Sequence, residues 1–440
     1  MSELPNGWLR PMISEVAEVN PRKEVHVSPN DLVSFVPMAA VDEVSGKIRS
    51  ALDRPYREVS KGFTHFRDND VIFAKITPSM ENGKSAVAQN LLNGTGMGST
   101  EFHVFRSNGA IEPEFLWRFI RQKSFREAAQ TVMSGAVGQQ RVPAEYLRDH
   151  LIPLPPVAEQ KRIVAKVDGL TARTARARKE LDRIPTFIAR YKQRLLALAY
   201  SGIEAEDSIT LGELAERITK GESPKWQGFE YLEQGILFLR SQNVGWGRLL
   251  LNDKVFLDPA FNLKREKSTL QSGDVLLNIV GASVGRTAIA TEEIAGANCN
   301  QAVAIIRLKQ RDSSDQSYVC WWLQSPEAQM VINEGVVDVA RANFSLASIR
   351  AMSLPWPSKS LRAEIVRRIE TAFAWLDRLA VEHTSATKLL PKLDAAILAK
   401  AFRGELVAQD PNDEPASVLL ERVKGEREFP QAKHRQNVKA

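Results

Sequence analysis

Between residues 163 and 198 a mostly apolar stripe recurs at alternating spacings of four and three: Ile163, Val167, Leu170, Thr174, Ala177, Leu181, Ile184, Ile188, Tyr191, Leu195 and Leu198. The same phase returns at Ile365, Ile369, Ala372, Leu376, Leu379, His383, Ala386, Leu390, Leu393, Ile397 and Lys400. Five heptads with apolar a and d positions predict two long helices that pair as a coiled coil rather than lying on a surface. A helix of about 45 residues would run roughly 65–70 Å. Gly202 and Gly404 fall where a left-handed cap ends each helix, and Pro185 and Pro391 should kink or divide them. His383 and Lys400 put polar groups on the stripe, which reads as a register device.

Outside these stretches the pattern changes to short apolar runs. Val71-Ile72-Phe73-Ala74, Phe102-His103-Val104-Phe105, Val275 through Ile279 and Ala302 through Ile306 are bounded by Gly, Asn and Ser and predict strands. Pro113 through Gln130 and Asp315 through Asn333 predict helices. The globular parts are therefore mixed α+β.

The two halves are copies. Residues 153–202 set against 355–404 match without a gap, with 11 of 50 positions identical, against about three expected from average composition. Pro153-x-Pro155 faces Pro355-x-Pro357, and Leu196-Ala197-x-Ala199-Tyr200-x-Gly202 faces Leu398-Ala399-x-Ala401-Phe402-x-Gly404. Upstream, Asp70 through Ile76 pairs with Asp274 through Val280, and Val142 through Arg148 with Phe344 through Arg350. Each copy thus has a variable globular part of roughly 150 residues, within the ordinary domain range, followed by a long helix.

Composition narrows the class. A chain with 43% hydrophobic and 25% charged residues folds as a globular protein, and no apolar run reaches membrane-spanning length. The first residues show neither a basic nor an apolar leader region, so a cytoplasmic location is expected. Two cysteines, Cys299 and Cys320, give no disulfide framework or zinc knuckle, and six scattered histidines give no metal pair. A net charge of +6 permits an acidic partner such as DNA.

Polar loops rich in basic, amide and hydroxyl groups follow the strands. The candidate DNA contacts are Lys75, Thr77, Ser79, Asn82, Lys84, Gln139, Gln140 and Arg141 in the first copy. In the second they are Arg240, Gln242, Asn243, Asn278, Ser283, Arg286, Asn300, Gln301, Arg341 and Asn343. Arg and Lys suit guanine, Asn and Gln suit adenine, and hydroxyls and amides suit phosphates. Helix pairing and partner docking fall to Ile163, Val167, Leu170, Leu181, Ile188, Leu195, Ile365, Ile369, Leu376, Leu379, Leu390, Leu393 and Ile397.

Motifs for catalysis are missing. Leu154-Pro155-Pro156-Val157 lacks the flanks of an adenine-methylating loop, and Gly83-Lys84-Ser85 has Pro78 where a nucleotide loop needs glycine. Gly94-Thr95-Gly96-Met97-Gly98 continues into Ser99 rather than a dinucleotide fingerprint and reads as a flexible turn.

Variable part, Pro-x-Pro, long helix and Leu-Ala-x-Ala-aromatic-x-Gly, all stated twice, resemble the specificity subunit of type I restriction–modification enzymes. The stretch Pro153-Leu154-Pro155-Pro156-Val157-Ala158-Glu159-Gln160-Lys161-Arg162-Ile163-Val164 carries the resemblance, with Ala401-Phe402-Arg403-Gly404-Glu405-Leu406-Val407 and Asp410 through Ala416. The second copy departs from it, with Lys359-Ser360-Leu361-Arg362 in place of Val157-Ala158-Glu159-Gln160.

The resemblance implies two target recognition domains, residues 1–152 and 205–354, each reading half of a split, asymmetric site on double-stranded DNA. Helical spacers at 153–204 and 355–408 would hold them; if the duplicated copies are related by a pseudo-two-fold axis across these helices, the helices pair antiparallel. A tail at 409–440, charged and aperiodic from Glu421, is expected to be partly disordered. It also implies docking of two methyltransferase subunits, which bind S-adenosylmethionine and methylate adenine at N6, and of restriction subunits using ATP and Mg. The chain itself would bind no cofactor or metal and catalyse nothing. Two rivals stay open: a specificity subunit for a fused methylase–nuclease of another restriction class, and a coiled-coil scaffold that binds no DNA.

Overall fold

The computed structural model describes residues 4–136, 138–203, 208–335 and 343–428. The chain forms two compact units, Met1–Leu181 with Ala386–Ala440, and Asp182–Ser385. Among the described residues no helix is long and apolar enough to cross a membrane.

The first unit holds a four-stranded antiparallel sheet ordered Ala17–Val19, Phe102–Ser107, Val71–Ala74, Ser85–Val87. In the second unit Ala215–Lys220, Val303–Leu308, Val275–Asn278 and Thr287–Ile289 take the same order, again antiparallel. The inner strands Val71–Ala74 and Val275–Asn278 are buried at every position, so on both faces, as expected of strands covered by helices on one side and a second sheet on the other.

That second sheet is also repeated. In the first unit it runs Leu52–Pro55, Leu32–Val36, Thr95–Gly98, Thr64–Arg67, with the middle pair parallel. In the second unit it runs Val255–Leu257, Ile236–Leu239, Asn298–Cys299, with the last pair parallel. One sequence expectation fails here: Gly94 through Gly98 is not a flexible turn, because Thr95–Gly98 is a wholly buried inner strand. Its glycines serve close packing. A Cβ on Gly96 would stand 2.2 Å from the Phe66 ring, and one on Gly98 2.7 Å from the Val36 carbonyl oxygen.

Each expected helix of the globular parts is two. Pro113–Ile120 is followed by Lys123–Thr131, and Ser313–Trp322 by Pro326–Glu334. The second break falls at Ser325, whose hydroxyl caps the new helix one residue before Pro326.

Pro185 divides the first long helix into Val157–Leu181 and Ile184–Tyr200, with the proline in the first turn of the new segment. Pro391 does not divide the second, which runs unbroken from Lys359 to Ala401. Gly202 and Gly404 adopt φ of +78° and +74° just beyond the helix ends. The helices run antiparallel inside each unit. In the first, Thr174 Oγ1 donates to Asp394 at 2.7 Å while Arg162 pairs with Asp413 at 2.6 Å. In the second, Lys192 pairs with Asp377 at 2.6 Å and lies over the Phe373 ring.

The stripe shifts near its C-terminal end. Leu393 is half exposed and Lys400 exposed, whereas Asp394, Ile397 and Ala401 face inward. The reason is chemical: Thr174 and Arg178 both bond the Asp394 carboxylate, at 2.7 and 3.3 Å. His383 is half-buried on the stripe. Glu421 onward is not irregular at first, because Ala416–Glu428 is a helix whose Leu420 and Val423 join the first unit's core. Residues 429–440 lie outside the described residues.

The Pro-x-Pro segments explain why the second copy departs from the first motif. Gln160 Nε2 donates to the Pro155 carbonyl at 2.9 Å and to Ala110 at 3.1 Å. At the matching position Arg362 donates to Pro357 at 2.5 Å and to Asp315 at 2.8 Å. Both side chains are buried. Different residues thus fasten the helix start to its globular part through the same proline carbonyl.

Candidate nucleic-acid interface

In the first unit three segments converge at one end of the antiparallel sheet. Lys75 N–H donates to the Glu101 carbonyl, and Val142 N–H to the Lys75 carbonyl, each at 2.9 Å. Thr77 N–H donates to Gln140 at 3.0 Å, and Ile76 bridges Arg141. This framework brings Lys75, Thr77, Gln140 and Arg141 together, with Ser79, Asn82 and Lys84 on the adjoining loop. Asn82 and Gln139 are exposed, and the others are half-buried.

Arg141 is already engaged. Its Nε and Nη2 bond both oxygens of Glu101, at 2.9 and 2.8 Å. The guanidinium holds the Glu101 carboxyl below its usual range, and the carboxylate pushes Arg141 up in return. Such a bidentate pair fixes the guanidinium plane, which a flexible arginine would otherwise have to order on binding.

The second unit rebuilds the framework with other side chains. Ile279 N–H donates to Ala302 at 2.9 Å and Phe344 N–H to Ile279 at 2.8 Å, while Val280 bridges Asn343. By hydrogen-bond position, Lys75 is replaced by Ile279, Glu101 by Ala302 and Arg141 by Asn343. Ser283, Arg286, Asn300 and Gln301 join this end, Gln301 and Asn343 being exposed.

Other candidates are committed to the fold. Asn278 is fully buried and donates to the Ser241 carbonyl at 2.8 Å. Asn243, also buried, donates to Leu250 at 2.8 Å and accepts from Arg240 N–H at 2.9 Å. Neither amide has an exposed edge for a base. Arg240 and Gln242 both bond Asp253 at 2.7 Å from the surface. Arg341 lies outside the described residues.

On the helices, Ile163, Val167, Ile365, Ile369, Leu376 and Ile397 are buried, and Leu170, Leu181, Ile188, Leu195, Leu379 and Leu390 half-buried. In the second unit an apolar groove of about 560 Å³ opens between Ile184, Phe187, Ile188 and Tyr191 on one helix and Trp375, Leu376 and Leu379 on the other. Arg190 and Arg194 border it. Phe187, Tyr191 and Trp375 are each about half exposed (51%, 54% and 53%). Phe187 and Trp375 lie off the heptad stripe, so the periodicity passed over them.

Cys299 and Cys320 are buried, and burial pushes them up to about 12 and about 11. Among the described residues no group of three or more His, Cys, Asp or Glu is placed to hold a metal ion.

With two copies of one fold and two different loop clusters established, the relatives agree. A model of the type I restriction modification DNA specificity domain matches residues 7–186. The EcoBI specificity subunit of a type I restriction enzyme from Escherichia coli is 30% identical over 326 residues, 67% of this chain and 68% of that one. A chain from a structural study of complex assembly and conformational transition of the type I R-M system shares 25% identity, covering 92% of this chain and 100% of its own, with a TM-score of 0.69. The HsdS subunit from Thermoanaerobacter tengcongensis shares the fold at 24% identity, with 92% and 99% covered and a TM-score of 0.68. The chain belongs to the specificity subunits of type I restriction enzymes. These are the non-catalytic, DNA-recognising subunits of their systems.

Proposed function

We propose that this chain reads a split, asymmetric sequence on double-stranded DNA, one half through residues 1–152 and the other through 205–354. The helical segments 153–204 and 355–408 then serve as the frame. The observation that carries this reading is the paired loop framework: the backbone bonds coincide, yet Lys75, Glu101 and Arg141 stand where Ile279, Ala302 and Asn343 stand. Matching backbone frameworks with unlike side chains are what two half-sites of different sequence require.

The chemistry comes from other chains in this reading. Two methyltransferase subunits, carrying S-adenosylmethionine, methylate adenine at N6 in each half. Restriction subunits using ATP and Mg complete the nuclease. The groove beside Phe187, Tyr191 and Trp375 supports helix docking, because an aromatic-lined apolar surface rimmed by arginines suits an amphipathic partner helix. Methylome sequencing of cells carrying this chain with its partners, against a deletion, tests the function. An N6-methyladenine motif with two unlike halves should vanish on deletion; an unchanged methylome, or a palindromic motif, would overturn it.

A further inference from the structure

A cavity lies beside the loop cluster of the first unit. It measures about 280 Å³ and is lined by Asn20, Lys23, Phe63, Thr64, His65, Lys75, Thr100 and Phe102, among others, all in the first unit. His65 is 92% buried, and its Nδ1 has no hydrogen-bond partner. A buried polar nitrogen left unpaired costs stability in the free protein and calls for a ligand or an ordered water. Among the described residues the Lys75 ammonium makes no hydrogen bond or ion pair, although it lies near enough to the Glu101 carboxylate to help lower it, and its backbone is held on both sides by Glu101 and Val142. Lys23 reaches the rim, where its ammonium donates to the Ser60 carbonyl and lies over the Tyr56 ring. Lys23, Lys75, His65, Thr64 and Thr100 thus all line one space, with no carboxylate among its lining residues.

We propose that this cavity seats one backbone phosphate of the DNA half-site read by the first unit, with Lys75 and His65 as its inner contacts and Lys23 at the mouth. The donor set is that of a phosphate site, and lysine serves such sites as a point charge. Phe63 and Phe102 offer an apolar wall for the adjoining sugar. The seat belongs to one copy only. His65 corresponds to Thr269, since Arg67 and Gln271, two residues on, make the same backbone bond to Asp70 and Asp274. Lys75 corresponds to the buried Ile279. The second reader therefore grips its backbone differently. Burial holds the free His65 imidazole down at about 4, with Arg106, Lys23 and Arg67 acting in the same direction and Asp70 against. A seated phosphodiester monoanion beside it would favour the protonated ring.

This inference rests on the DNA-reading function above, and the test separates the two. The complex of the full chain with its methyltransferase partners is bound to the duplex its methylome defines, with neutral methylphosphonates replacing single phosphates in turn. Wild type should show a sensitive phosphate in one half-site that becomes silent in both K75Q and H65T. K75Q should also weaken binding on the order of tenfold, lower the salt slope by about 0.9, and leave every second-half position unchanged; K75R should keep the wild-type scan. The unchanged second half certifies that the variants are folded. If K75Q and H65T retain the wild-type scan, if the lost position lies in the other half, or if the loss follows base identity instead of backbone charge, the phosphate seat is wrong while the reading function stands. If even wild type binds no defined sequence, the reading function falls and takes the seat with it.

Discussion

Arg106 closes a bidentate ion pair on Asp70 inside the first unit, Nε to Oδ1 at 2.9 Å and Nη2 to Oδ2 at 2.7 Å. Arg307 and Asp274 repeat it in the second at 2.7 Å on both arms. Both carboxylates are about 1% exposed and also accept a backbone N–H three residues back, from Arg67 and Gln271. The pair therefore locks the strand turn that precedes each inner strand.

Removing one partner of such a pair leaves the other charge buried alone. D70A should cost about 3–5 kcal/mol in chemical unfolding, and the double variant D70A with R106M clearly less. Equal losses in the two would show that the pair's charge is not what matters.

Arg141 is expected to read a base or hold the backbone in the first half-site. R141A should weaken or relax that half alone, by about 1–3 kcal/mol if it makes a bidentate base contact, as read by methylation of duplexes mutated in either half. E101Q, which loosens the guanidinium without removing it, should give a smaller loss in the same half. Equal effects in both halves would end the assignment.

Acid should destabilise the free chain through His65. Its folded value is depressed to about 4, so between about 6.5 and 4 the unfolded chain binds a proton that the folded chain refuses. Stability conferred by the neutral ring is present above 6.5 and is lost as pH falls through that window. The chain should be about 1–2 kcal/mol less stable at pH 5 than at pH 7 through this residue, and H65T should remove that difference. An identical pH profile in H65T would exclude the histidine.

The groove predicts a separable defect. F187D with W375E changes two half-exposed side chains, so the melting temperature should move little, while co-purification of the methyltransferase falls at least tenfold. Normal co-purification would place docking elsewhere.

Much of this was legible in the chain because it depends on local pattern. Val71–Ala74 is the strand its apolar run implies, and Gly202 and Gly404 end their helices as their lack of a Cβ allows. What escaped depends on partners distant in sequence. The glycines of Thr95–Gly98 look like a turn until Phe66 and Val36 press against them. Arg141 looks free until Glu101, 40 residues earlier, occupies its fork. Asn278 looks like an adenine reader but is consumed by the Ser241 carbonyl. Thr174 and Arg178 draw Asp394 to the inner face, where periodicity alone favours Leu393.

The first unit is assembled from residues on both sides of the second, and its core includes Ile397, Ala401 and Phe402, the last packed on Phe115 and Phe119 at 4.9 and 5.3 Å. Translation order and completion order are thus reversed. When residue 385 has left the ribosome every part of the second unit has been made, while the first still waits for its closing helix with Phe115 and Phe119 uncovered. A chain truncated there would keep one reader intact and leave the other an exposed, chaperone-dependent fragment.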